Sequence, residues 1–337
     1  MCPLVSVLLP VRDAGSFLVD CIASLERQTL EDFEVVAVDD GSTDGSGEVL
    51  EAWAGRDRRV RVLHRPASGL IATLNAGLAA CSAPLVARMD ADDICHPLRL
   101  ELQARDLEAR TELGVVSCRV RHFPWRLVGE GFRIYEAWLN SLMTTEAIAR
   151  ERFVESPLAH PSAMARREVL VAVGGYRDMG WPEDYDLWLR LFEDGVAAAK
   201  LDRYLYFWRE HGRRLTRMDR RYSVENFLRC KAHFLARGPL AECRRVVVWG
   251  AGQTGRRLSK HLLRGGAPVE AFVDIDPEKV GRTLRSRPII AVDDLPELLG
   301  EGTVVLAAVA SRGARALVRE QLRALGLVEG QEYWCVA

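Results

Sequence analysis

Five short apolar runs, each followed by an amphipathic stretch, frame the first half of the chain. Val5–Val11 and residues 33–38, 60–63, 85–89 and 115–118 are rich in β-branched side chains and have the length of strands. Between them apolar positions recur at three- and four-residue steps, as in Phe17, Leu18, Cys21, Ile22 and Leu25, which predicts helices. Ser16 stands where it can cap the first of these. Further helices are expected over residues 48–53, from Ser68 or Gly69 through Leu70, Leu74 and Leu78, and from Pro97 to Arg110. Strands alternating with helices at this spacing predict an α/β fold with a doubly wound, mostly parallel sheet.

The pattern changes from residue 123 to 156, where residues 135–143 read as an aromatic-bearing amphipathic helix. A proline-bounded extended piece follows at 157–162, then a flexible Gly174-Gly175 turn, a helix opened by Glu183-Asp184, and an aromatic strand over 204–211 that ends in His211. Residues 214–237 interleave basic and apolar positions, which reads as a helix packing between domains or as a basic surface near an anionic membrane. Gly238-Pro239 then breaks the chain. Beyond it, Val246-Val247-Val248-Trp249 is a strand that runs into Gly250-x-Gly252-x-x-Gly255 and a helix through Leu258 and Leu262. A second strand, 269–273, ends at Asp274, and further units follow at 288–292 and 303–309. This is the context of a Rossmann-type nucleotide fingerprint. The expected organisation is a first domain over 1–213, a helical basic linker over 214–242 and a small Rossmann-like domain over 243–337.

Length supports two domains, since 337 residues exceed the usual size of one. With 46 basic and 47 acidic residues the net charge is −1, which gives no reason to expect a nucleic-acid partner. Eight cysteines are scattered without a C-x-x-C pair and read as thiols of a reducing compartment. The short apolar start lacks a basic leader, so no signal peptide is expected, and no run approaches the ~20 apolar residues of a membrane span. The expectation is a cytoplasmic protein, with peripheral contact at the inner face of the membrane left open.

Chemistry concentrates where apolar runs end in acids. The run at 85–89 stops at Asp90-Ala91-Asp92-Asp93, three carboxylates at the carboxyl end of a strand, where open α/β sheets bind ligands. Adjacent acids repel one another unless a cation neutralises them, and a divalent metal with hard oxygen ligands would do so. The alternative is a solvated acidic turn, with Asp93 as a helix cap. Asp39-Asp40-Gly41-Ser42 ends the second strand and reads either as turn chemistry or as acceptors for a base N–H or a ribose hydroxyl. Glu183-Asp184 is explained by the helix dipole alone, yet it sits behind a Gly-Gly turn and between Trp181 and Trp188. His160 reads as a structural histidine. No glycine-rich phosphate loop follows the first strand, so phosphates there fall to a metal or to side chains.

The segments Ser6-Val7-Leu8-Leu9-Pro10-Val11-Arg12-Asp13, Val38-Asp39-Asp40-Gly41-Ser42-Thr43-Asp44, Ala72-Thr73-Leu74-Asn75-Ala76-Gly77 and Arg88-Met89-Asp90-Ala91-Asp92-Asp93 together resemble the family-2 glycosyltransferases of GT-A fold. The resemblance spans about residues 5–211. It implies an inverting, hexosyltransferase-type enzyme that uses a nucleotide-diphosphate sugar, most often UDP-linked. It further implies that Pro10, Val11, Arg12, Asp13, Asp39, Asp40, Asn75, Arg88 and Asp90 line the donor site, with Asp39 on the base. Asp92 and His211 would hold Mn²⁺ or Mg²⁺, and Asp184, with Glu183 beside it, would be the catalytic base. The acceptor would be a hydroxyl of a cell-surface glycan or of a lipid-linked molecule. Asp13 departs from the pattern, since many relatives carry Asn there. The second domain is similar to nucleotide-binding domains of sugar-modifying enzymes, with Gly250, Gly252, Gly255 and Asp274 as its candidate nucleotide contacts. It carries no Tyr-x-x-x-Lys pair, so regulation is expected of it before a second reaction. A different class of protein, a non-catalytic nucleotide-sugar sensor, would need that fingerprint but no base opposite a leaving group. A nucleotidyltransferase would want a basic glycine loop after the first strand, and Val11-Arg12-Asp13-Ala14-Gly15 is too short and acidic for one.

Overall fold

The computed structural model describes residues 3–337; Cys2, counted above among the thiols, lies outside them. The chain forms two compact units. The first takes residues up to 148 together with 158–179 and 183–218; the second takes 149–157, 180–182 and 219–337.

The first unit begins as its pattern predicts, with β1 (Val5–Val11), α1 (Phe17–Glu26), β2 (Phe33–Asp39), α2 (Ser46–Ala54), β3 (Val60–His64), α3 (Leu70–Ala80) and β4 (Leu85–Arg88). A short β5 (Ile94–Cys95), α4 (Arg99–Ala109) and the long β6 (Leu113–Phe123) follow, then α5 (Glu130–Ser141) and α6 (Thr145–Glu151). The last elements are β7 (Met164–Arg166), α7 (Arg167–Ala172), α8 (Glu183–Glu193), β8 (Ala197–Arg209) and α9 (Leu215–Met218). Eight strands pair in the order β3-β2-β1-β4-β7-β6-β8-β5. β1, β2, β3 and β4 are mutually parallel, as are β6 and β8, while β7 and β5 run against their neighbours.

Strands buried on both faces read as continuous apolar runs, and β1 is buried at every position. One face packs Val7, Leu9, Leu18 and Leu25; the other packs Leu8, Val36, Val38 and Leu74. Gly77 lets α3 lie against that second face, because a Cβ there would collide with Leu8 and crowd Val38. Ser16 precedes α1 but makes no side-chain cap. The donors of that loop are taken across the sheet instead, Ala14 N–H by Ser46 Oγ (3.1 Å) and Gly15 N–H by Asp44 (2.7 Å). Register brings the chemistry-bearing strand ends level, Val11 opposite Asp39, Asp39 opposite His64, and Leu8 opposite Arg88.

The second unit holds α10 (Val224–Arg237), β9 (Arg245–Trp249), α11 (Gln253–Arg264), β10 (Val269–Val273), β11 (Thr283–Leu284), β12 (Arg287–Ile290), β13 (Thr303–Ala307), α12 (Ala314–Ala324) and β14 (Tyr333–Cys335). Its sheet order is β11-β12-β10-β9-β13-β14, parallel except for β11. α10, within the stretch read above as a helical linker, is part of this unit. Its buried Lys231 donates to the carbonyls of Val154 (2.6 Å) and Val336 (3.2 Å). The described cysteines are free thiols, most of them buried.

Candidate active site

The acidic turn after β4 is held from several sides. Asp90, Asp92 and Asp93 each present a carboxylate oxygen, and these lie within 4.8 Å of one another. Nε2 of His211, just beyond β8, stands 2.8 Å from Oδ2 of Asp92, and its ring lies 4.8 Å from Phe17. Buried Arg88 donates to Asp90 Oδ1 (2.5 Å) and to the Met89 carbonyl. Arg209 donates to the Asp92 carbonyl (2.7 Å) and to Asp20 (2.7 Å).

Asp93 is not a helix cap. Its carboxylate is buried, accepts the Tyr206 hydroxyl (2.8 Å) and the Arg209 backbone N–H (2.6 Å), and so fastens the turn to β8. Three acids in one place cannot all ionise cheaply, and here they divide. Burial and the charges of Asp92 and Asp90 push Asp93 well above the usual carboxylate range. Burial would also raise Asp92, but the His211 bond and the charge of Arg214 outweigh it and hold Asp92 low. An ionised carboxylate beside an imidazole, with Asp90 within reach, is a hard oxygen and nitrogen donor set that fits a divalent cation.

Asp39 ends β2 and is nearly closed off. Oδ1 accepts Ser42 N–H (3.0 Å), Oδ2 lies 3.0 Å from His64 Nδ1, and His64 Nε2 lies 2.7 Å from Glu51. Burial works to raise the Asp39 carboxyl, yet the Ser42 bonds and His64 outweigh it and keep it below its ordinary value. Asp13, with φ +47°, accepts Thr43 N–H (2.8 Å) and donates its own N–H to Ser42 Oγ (3.1 Å). Pro10 and Val11 are buried in β1.

The resemblance put Asp40 and Asn75 among the donor contacts; the structure gives both side chains another occupation. Asp40 accepts the N–H groups of Ser68 (2.7 Å) and Gly69 (3.0 Å) at the start of α3 and faces Arg12 at 3.3 Å. Asn75 brackets Tyr176, donating to its carbonyl (2.8 Å) and accepting its N–H (2.9 Å). The Gly174-Gly175 turn, with φ +80° and +63°, thus runs into a residue whose backbone N–H and carbonyl are both taken by Asn75. Arg190 of α8 completes the fastening, donating to Val173 and Gly175 carbonyls at 2.7 Å each while paired with Asp186.

Glu183 and Asp184 open α8, with Glu183 buried and Asp184 partly exposed. The buried Tyr176 phenol is raised chiefly by desolvation; the positive charge of Arg88 works against that, while Glu183 and Asp184 add to it. His160 Nε2 lies 2.8 Å from that phenol and is kept neutral by burial, in keeping with a structural histidine. Tyr206, Arg209, Tyr176 and His64 were not singled out from the sequence. The first two sit in a run of aromatic and basic residues that looks like any half-buried strand, and only pairing shows which of them meet the acids.

In the second unit the glycine fingerprint lies on a cleft of about 790 Å³, lined among others by Gly250, Gly252, Asp274, Ile275, Lys279 and Leu317. A Cβ on Gly255 would run into the Gly250 carbonyl, whereas Gly252 faces open space. Asp274 accepts Ala251 N–H (2.9 Å) and Asp276 N–H (3.0 Å), with Lys279 Nζ 3.3 Å away.

Residues 6–174 match the family model of glycosyl transferase family 2, and residues 242–326 that of the CoA binding domain. Among curated relatives, the amylovoran biosynthesis glycosyltransferase AmsE of Erwinia amylovora is 33% identical over 199 residues, 58% of this chain and 72% of that one. EpsJ of Bacillus subtilis, described as an uncharacterised glycosyltransferase, is 28% identical over 68% of this chain and 67% of its own. Among solved structures, TarS of S. aureus in complex with UDP-GlcNAc aligns with a TM-score of 0.57 and 17% identity, covering 78% of this chain and 72% of that one. The mannosyltransferase PcManGT of Pyrobaculum calidifontis, in complex with GDP-Man and Mn²⁺, aligns with a TM-score of 0.51 and 19% identity, covering 79% and 70%. At those identities the structural likeness shows a shared fold.

Proposed function

Because the chain belongs to glycosyl transferase family 2, we propose that it is a metal-dependent inverting enzyme that moves a sugar from a nucleoside-diphosphate donor, a UDP-sugar first of all, to a hydroxyl of a surface glycan or a lipid-linked acceptor. The observation that carries this reading is the meeting of Asp92 with His211 at 2.8 Å, in a turn where Asp90 and Asp93 are fixed by separate partners. Asp92 and His211 would hold Mn²⁺ or Mg²⁺, which supplies charge stabilisation for the departing diphosphate. TarS and PcManGT, which share the fold, are seen with UDP-GlcNAc and with GDP-Man and Mn²⁺.

The chain's own residues then divide the work. Asp39, held ionised by Ser42 and His64, accepts a base N–H. Arg12 and Asp13 border the nucleoside, and Asp90, aligned by Arg88, faces the ribose or the sugar. Asp40 and Asn75 act at one remove, the first by fixing the start of α3 and the second by fixing the turn before α8. Asp184 takes the acceptor's proton as its oxygen attacks C1 from the face opposite the nucleotide, which inverts that carbon; Glu183, buried beside it, sets its position. A base of this kind contributes about 10²–10⁴ in rate. In the second unit, Gly250, Gly252 and Gly255 would receive a nucleotide-bearing ligand. Asp274, already engaged by the loop amides and Lys279, would shape that loop more than it reads a ribose.

The test is Asp184→Asn. Transfer to acceptor should fall by about 10²-fold or more while donor affinity stays within a factor of about two. Undiminished transfer would place the base elsewhere.

A further inference from the structure

From the end of β6 into the first turns of α5 the first unit pushes apolar side chains outward. Trp125 is 52% exposed, Leu127 54% and Ile134 47%, within one short excursion of ten residues. The excursion has a defined shape. Arg133 lies over the Trp125 ring at 4.5 Å and donates to the carbonyls of Val128 (3.0 Å) and Trp125 (3.2 Å). A second segment joins it, since Arg217 and Arg214 lie 5.4 Å and 6.0 Å from the Phe132 ring. That segment exposes Leu215 and, at 72%, Met218. Buried apolar surface is the dominant favourable term in folding, so a cluster of large apolar tips left in water at one place calls for a partner.

The charges around it indicate which partner. Arg126, Arg133, Arg213 and Arg217 are exposed in the same two segments, against a single exposed acid, Glu130. Glu210 is buried and already paired with Arg214 and Arg217. Apolar tips that include a tryptophan, set among long cationic side chains, suit the headgroup boundary of an anionic bilayer. There the tips enter the acyl edge and the guanidinium groups meet phosphate. The place in the fold also suits this. Phe123 pairs with Arg209 in the β6–β8 register, and Arg209 donates to the Asp92 carbonyl, so the excursion leaves the sheet at the same end as the acidic turn. Among the described residues no helix is long and apolar enough to cross a membrane, so a lipid-borne molecule would have to be met from the surface.

We propose that Trp125, Leu127 and Ile134, with Leu215 and Met218 and the arginines around them, form a docking surface for an anionic phospholipid bilayer. In purpose this rests on the lipid-linked acceptor read above; the binding itself needs neither donor nor acceptor and is measured without them. The full chain is sedimented with phosphatidylcholine vesicles containing or lacking phosphatidylglycerol. Binding should be at least about ten-fold stronger with the anionic lipid and should weaken with salt. It should fall by a similar factor in Arg126→Glu and in Leu127→Ser/Ile134→Ser, each with an unchanged melting temperature. Equal binding to neutral vesicles, or undiminished binding by both variants, would overturn the proposal. So would a patch that binds no vesicle and whose variants turn a dimer into a monomer.

Discussion

The Tyr206 hydroxyl donates to the Asp93 carboxylate across 2.8 Å, and the same oxygen accepts the Asp90 N–H at 3.3 Å. One buried phenol on β8 thereby fixes both ends of the acidic turn, while Asp92 between them is left to His211. The turn is arranged by residues more than a hundred positions away, and its geometry depends on β8 being in register.

Tyr206→Phe should therefore loosen the turn without removing any acid from it. Losing the hydroxyl leaves a buried carboxylate and a backbone N–H short of a partner, at a cost of ~1–3 kcal/mol. The expected result is a lower melting temperature together with weaker Mn²⁺ binding by titration calorimetry. Unchanged metal affinity at lowered stability would make Tyr206 structural only.

The His64–Asp39 contact should make stability depend on pH in a definite direction. His64 is raised above 6.5, first by the Asp39 bond and then by Glu51. Its contribution is complete below the unfolded value of about 6.5 and disappears as the pH climbs through the raised folded value. Asp39 is lowered, so its share is present above its unfolded value of about 3.9 and is lost only as the pH falls through the lowered folded one. Comparing thermal melts of the wild type with His64→Gln should show a difference that is largest in weakly acidic buffer and shrinks with rising pH. A difference that grows with pH would contradict the assignment.

The two outer glycines of the second unit's fingerprint should behave differently from the middle one. Gly255→Ala forces a Cβ onto the Gly250 carbonyl and should destabilise the unit, whereas a Cβ at Gly252 meets no atom within 4 Å, so Gly252→Val should fold. If the cleft takes a nucleotide-bearing ligand, Gly252→Val should lose it, as read by equilibrium dialysis against CoA and UDP-sugars. Retained binding in a folded Gly252→Val chain would move the ligand off the glycine loop.

Much of this was legible in the chain because strand-length apolar runs ending in acids carry both the element and its function. Asp90, Asp92 and Asp39 lie where an open sheet presents its strand ends, so pattern and chemistry coincide. The fingerprint from Gly250 to Gly255 was readable for the same reason, with a strand before it and a helix after. What could not be read was who holds whom. Asp40 and Asn75 look like ligand-facing polar residues by position, but pairing turns Asp40 to the start of α3 and Asn75 to Tyr176. Nothing local distinguishes Tyr206 from Tyr204, two residues apart in an aromatic strand; their difference arises where the β6–β8 pairing shifts register between them, Arg119 opposite Tyr204 but Val120 opposite Tyr206, which leaves Tyr204 exposed and Tyr206 buried against the acidic turn. Ser16 had the chemistry of a cap, but its backbone is already helical (φ −66°, ψ −18°) and the Leu18 N–H turns to the Gly15 carbonyl.

The central claim, donor binding through a metal at Asp92 and His211, is tested most directly by thermal shift of the full chain with UDP-sugars, in Mn²⁺ and in chelator, for the wild type and Asp92→Asn. At saturating donor the wild type should gain about 5 °C or more in Mn²⁺ and little in chelator, and Asp92→Asn should gain little in either. An equal gain in chelator, or an undiminished gain in Asp92→Asn, would contradict it.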